Sequence, residues 1–221
     1  MRLSPNITRW LRIVGVAMGV FVLPVVILLP FASWLVDRAG ELGDLSPSLA
    51  FLTVIGLLLL DAVAIIPHGL VGALAATAMP WTAAWIATWL GQMGAAMIMY
   101  GLGRYAGRPL AGRIIGKSDM EAAETRAGTV SALLLFGTRP VPVVGEVILI
   151  AAGIAHYPFR RFLMAVGAAN AVLALGYTGL GQMFGSVDTS TIVLVATVGI
   201  PAAAAILYCL VTLLRPGREQ V

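Results

Sequence analysis

Phe136-Gly137-Thr138-Arg139-Pro140-Val141-Pro142 stands between two strongly apolar runs, residues 130–137 and 147–150, and it decides how the chain is read. Each proline removes a backbone donor and clashes with the preceding turn, so no regular helix passes through it. A second interruption, Pro67-His68-Gly69, divides the apolar stretch 48–79, which Pro80 ends. Around these breaks the 221 residues are 60% apolar and only 11% charged, with a mean hydropathy of +0.97. A soluble domain carries about a quarter of its residues as Asp, Glu, Lys and Arg. The runs 13–36, 48–66, 81–101, 162–185 and 191–214 have about the twenty residues that a bilayer core asks of a helix. The sequence therefore predicts a single all-α transmembrane domain over residues 1–221, with no room in its short polar loops for another folded unit.

Charge sets the topology. Lys and Arg collect at the N-terminus (Arg2, Arg9, Arg12), in 104–126 (Arg104, Arg108, Arg113, Lys117, Arg126) and at Arg215 and Arg218. Short loops rich in these cations stay cytoplasmic, which puts both termini inside. The loop 37–47 holds Asp37, Glu41 and Asp44 against Arg38 alone, and the turn at Asp188 carries no cation, so both face outward. Two full crossings between Asp44 and Arg104 would return the chain to the wrong side. The parity is restored if 48–79 dips in and leaves by the same face, and if residues after Arg126 do so from the other face before Arg160-Arg161. The expected plan is a first span at 13–36, a hairpin-plus-span half with its cytoplasmic loop over 48–128, a second such half over 129–186, and a last span at 191–214. The first apolar run is longer than a signal peptide's and no clean cleavage site follows it, so it reads as uncleaved.

The halves echo one another. Pro67, then Pro80-Trp81, then Tyr100-Gly101-Leu102-Gly103 parallels Pro142, then Pro158-Phe159, then Tyr177-Thr178-Gly179-Leu180-Gly181. Inverted repeats with Gly/Pro-interrupted segments mark secondary transporters, and irregular backbone at membrane depth is tolerated only where it is buried or lines a wet cavity. Other classes have little support. Single Cys209 allows neither a disulfide nor a thiol metal site. No sustained basic stripe suits a nucleic acid. Two histidines without a third ligand make a poor metal site. No Walker loop or Ser/His/Asp set points to an enzyme or a cofactor.

Several segments carry a family resemblance: Asp61-Ala62-Val63-Ala64-Ile65-Ile66-Pro67; Gly91-Gln92-Met93-Gly94 through Tyr100-Gly101-Leu102-Gly103-Arg104-Tyr105-Ala106-Gly107-Arg108; Phe136 to Pro142; Ala152-Gly153; and Phe159-Arg160-Arg161-Phe162. Over about residues 49–181 the chain resembles the DedA / VTT-domain (SNARE-associated Golgi protein) superfamily. The resemblance implies two re-entrant hairpins facing each other from opposite sides of the membrane, and movement of lipids: undecaprenyl phosphate recycling in bacterial members, phospholipid scrambling in eukaryotic ones. The chain departs from the bacterial pattern in having His68-Gly69 where a second acid usually follows the first hairpin's prolines. It also has Gly145-Glu146 where a second arginine is usual.

An ionisable residue inside an apolar stretch costs about 2.5–3.5 kcal/mol on insertion scales and reads as functional by default. Asp61, Arg139 and Glu146 qualify. The expected substrate site is Arg139, whose guanidinium fork suits phosphate, with Pro140, Pro142 and Pro67 at the breaks. Asp61 and Glu146 are the expected proton carriers, and His68 and His156 the candidate pH-sensitive groups. The alternative for Arg139 is a purely structural pairing with Glu146 or Asp61. The function expected is a DedA-like transporter in a bacterial inner membrane, a flippase or scramblase driven by the proton-motive force. It would act on an anionic lipid such as undecaprenyl phosphate, with protons and a second copy of the chain as further partners. An ion-coupled carrier of a small anion, or a non-transporting membrane-homeostasis or assembly component, are the other readings.

Overall fold

The computed structural model describes residues 45–63, 66–107, 132–141 and 144–183, with positions 109, 121, 195, 199 and 203 besides. The expected span at 13–36, all but three positions of that at 191–214, Pro142, and the loop cations Arg108, Arg113, Lys117 and Arg126 lie outside the described residues. Within them the chain is all-helical, with no strand. The elements are α1 (Pro47–Leu60), α2 (His68–Ala78), α3 (Trp81–Leu102), which runs on into a π-helical turn (Gly103–Gly107), α4 (Ala132–Thr138), α5 (Val144–Ile154) and α6 (Phe159–Gly181).

Local chemistry starts and stops these helices. Ser46 accepts from the Leu49 amide, with Pro47 at the first helical position, where a missing N–H costs nothing. Pro80 and Pro158 stand at the N-caps of the two long helices. Between α1 and α2 the chain turns at Pro67 (φ −71, ψ 79), with the His68 amide bonded to the Ile66 carbonyl, the geometry of an inverse γ-turn. Between α4 and α5 it turns at Arg139 and Pro140, where the Val141 amide donates to the Thr138 carbonyl. Gly145 packs on that second turn so closely that a Cβ would meet the Thr138 carbonyl oxygen at 2.9 Å.

The helix lengths are unequal in a patterned way. Helix α6, of 23 residues, is long and apolar enough to cross a membrane, whereas α1, α2 and α5 are apolar but shorter. The 11 residues of α2 and of α5 give each a length of about 16 Å, roughly half a hydrocarbon core. Outward-facing positions are apolar too, including Leu52, Met164, Val172 and Val147, the pattern of a helix hydrophobic all round.

The packing crosses between halves. Helix α2 packs on α6, and α5 packs on α3 and its π turn, while α3 and α6 lie side by side. The α3–α6 contact is pinned by two indoles, Trp85 donating to the Ala171 carbonyl (3.1 Å) and Trp89 to the Gly167 carbonyl (3.0 Å). At the crossings the backbones touch. A Cβ on Gly181 would strike the Ala73 carbonyl, one on Gly103 the Ile150 carbonyl, and one on Gly153 the Tyr100 carbonyl. Gly103 and Gly181 are 78 residues apart, as are Pro80 and Pro158, so the two crossings are the same contact made twice. Near the second, Tyr100 Oη donates to the Tyr157 carbonyl (2.7 Å) and receives Arg104 Nη1 (3.0 Å). Its ring lies 4.5 Å from that of Phe162.

Candidate functional site

The two helix breaks come together. Arg139 ends α4 only 7% exposed. Its Nε donates to Oδ1 of Asn170 in the middle of α6 at 2.9 Å. The Asn170 amide in turn reaches Sδ of Met93 on α3 at 3.5 Å, so the arginine is tied to both long helices. A guanidinium carries five N–H donors, of which this bond uses the one on Nε. Asp61, Glu146 and the Tyr177 hydroxyl lie within electrostatic reach of it. Among the described residues neither acid comes within ion-pair distance of it.

Asp61 closes the first break. Its Oδ1 accepts the Ile66 amide at 3.0 Å, and its Oδ2 stands 3.5 Å from Nδ1 of His68. The His68 ring meets Tyr177 edge to face at 5.7 Å. Glu146 sits in the first turn of α5, within electrostatic reach of Asp61 and His68 as well as Arg139. Pro67 and Pro140, both buried, stand at the two breaks. His156 does not join this cluster. It lies in the turn after α5 with φ 53, ten residues beyond Glu146 and so about 15 Å away along the helix axis.

Three buried polar residues escaped the sequence reading. Thr88 and Gln92 lie one turn apart on α3, 0% and 3% exposed, and Oγ1 of the first and both amide atoms of the second have no hydrogen-bond partner. Asn170 is the third. Gln92 and Asn170 are 78 residues apart, the spacing of the repeat, so each half sets one amide at the equivalent position of its long helix. The signal was present, since an amide inside an apolar span is rare enough to question. Each buried polar group left unpaired costs about 1–3 kcal/mol.

The family model for the VTT domain matches residues 66–183, more than half of the chain. The chain belongs to the VTT-domain family. The matched region of this VTT-domain protein includes Pro67, His68, Arg139 and Glu146, and the first break begins just before it, at Asp61. Over 106 residues the protein is 32% identical to undecaprenyl phosphate transporter A of Bacillus subtilis (strain 168). That alignment takes in 46% of this chain and 54% of the relative, so the chain spans about half the length of this curated protein. No solved structure matches.

Proposed function

We propose that this VTT-domain protein moves a lipid with an anionic phosphate headgroup across a bacterial inner membrane, both of its termini lying in the cytoplasm. The observation that carries the reading is Arg139: buried, anchored through Nε to Asn170, and standing where two broken helix pairs meet. A guanidinium cannot deprotonate in a protein and takes phosphate in two-point fashion, which suits a permanent headgroup ligand. The name of the B. subtilis relative supports a polyprenyl phosphate, undecaprenyl phosphate among them, as the lipid.

On this reading the pairs α1–α2 and α4–α5 are re-entrant hairpins that enter from opposite faces, with Pro67 and Pro140 near the midplane. Only a broken helix needs prolines at that depth. Asp61 and Glu146 act in coupling, because a carboxylate, unlike arginine, moves between charged and neutral forms. A proton crossing 100 mV releases about 2.3 kcal/mol, enough to bias a flip well over tenfold.

Purified protein in liposomes, given labelled undecaprenyl phosphate with and without a pH gradient, tests the function. Translocation is expected above that of protein-free liposomes, and a gradient should accelerate it. Asp61→Asn keeps an oxygen for the Ile66 amide, and it and Glu146→Gln are expected to bind the lipid normally while losing the acceleration. No translocation by wild-type protein would end the proposal. Topology has its own test. With Cys209 replaced, single cysteines at positions 44 and 188 should label from outside and one at 117 should not; labelling at 117 would overturn the hairpin count.

A further inference from the structure

The unpartnered atoms of Thr88 and Gln92 lie on one face of α3, between two contacts that fix where that face points. Thr88 packs its methyl 3.0 Å from where a Cβ on Gly72 of α2 would sit, and Tyr177 of α6 stands 3.1 Å from the same point. Met93, beside Gln92, touches Asn170, the residue that anchors Arg139. Residues four apart share a helix face, so Gln92 lies on the same face of α3 as Thr88, the face that Thr88 turns to the α2–α6 junction. Its counterpart Asn170 is engaged, whereas Gln92 keeps two donors and an acceptor, and Thr88 one of each.

We propose that Gln92 and Thr88 are the neutral half of the headgroup site and select a phosphate monoester over a phosphate diester. The inference rests on the function proposed above. Arg139 supplies donors only and takes two anionic oxygens. A monoester in its monoanionic form keeps one P–OH, the second proton leaving near pH 6, and that hydroxyl needs an acceptor. The Gln92 carbonyl or Thr88 Oγ1 accepts it. A diester headgroup has no P–OH and leaves the carbonyl unpaired. A site built to hydrogen-bond a hydroxyl rejects an analogue lacking it, because its own buried groups stay unpartnered.

The test measures equilibrium binding and thermal stability of the whole chain in detergent micelles. The probes are farnesyl phosphate, dioleoyl phosphatidic acid, dioleoyl phosphatidylglycerol and inorganic phosphate. Wild type is expected to bind both monoester lipids more tightly than the diester. Gln92→Met should raise the melting temperature, since it removes unpartnered buried atoms, yet weaken both monoester lipids about tenfold while leaving the diester unchanged. Thr88→Val should do the same in smaller measure. Gln92→Met binding monoesters as wild type does, or losing monoester and diester alike, would overturn the inference. If Arg139→Ala abolishes binding in that same case, the function proposed above still stands. Wild type binding none of the probes would overturn both. Inorganic phosphate competing as well as farnesyl phosphate, and losing affinity in Gln92→Met, would support the chemistry while making the ligand a free phosphate rather than a lipid.

Discussion

Arg139→Ala, reaching the membrane in wild-type amount, is expected to abolish lipid translocation in the liposome assay. The substitution removes two charge-assisted bonds at once. Hydrogen bonds to a charged group are worth about 1.5–3 kcal/mol each, and a two-point guanidinium–phosphate contact has two of them, so the headgroup loses a hundredfold or more in affinity, on the order of 3 kcal/mol. Arg139→Lys separates charge from geometry. It keeps the cation but loses both the fork and the Nε bond to Asn170, and it should retain roughly a tenth of the activity or less. Wild-type transport by the alanine variant would assign Arg139 to packing alone and remove the site.

The second large effect concerns stability. Gly103→Ala and Gly181→Ala each push a methyl into a backbone carbonyl, that of Ile150 and that of Ala73, and a carbonyl inside a helix cannot turn aside as a side chain can. Each substitution is expected to cost about 3 kcal/mol, the upper part of the range for overpacking, and to lower the melting temperature in detergent by roughly 5–10 °C. The neighbours provide matched controls. Gly101 and Gly179 have open space where a Cβ would go, so alanine there should be neutral or slightly stabilising, in keeping with its better helix propensity. Equal melting temperatures for all four variants would show that the helices do not cross at backbone contact.

The breaks were legible because proline acts locally: Pro67 and Pro140 stop helices whatever surrounds them, as do Pro80 and Pro158 at the N-caps. Asp61, Arg139 and Glu146 stood out because a charge in an apolar run is costly on its own. Asn170 and Gln92 did not, because one amide within some twenty apolar residues barely alters the run, and only the packing of α3 on α6 shows that both are buried. His156 illustrates the converse: a position near a hairpin's end does not reveal which end, and α5 carries it away from the cluster. The π-helical turn at Gly103–Gly107 follows directly on the apolar run 81–101, and its glycines alone do not announce it. It lets Gly103 and Gly107 both face α5, against Ile150 and Ile154.

The exchange of short helices between the halves bears on how the protein is made. Gln182 reaches the Ala76 carbonyl, Trp85 the Ala171 carbonyl and Trp89 the Gly167 carbonyl, across 106, 86 and 78 residues of chain. While the ribosome is still building the second half, α2 has none of the α6 surface that buries it, and Tyr177, on which His68 rests, does not yet exist. Native contacts so distant in sequence form late. The nascent first half therefore holds a carboxylate, an imidazole and a bare glycine face that stay without their covering helix until its partner half arrives.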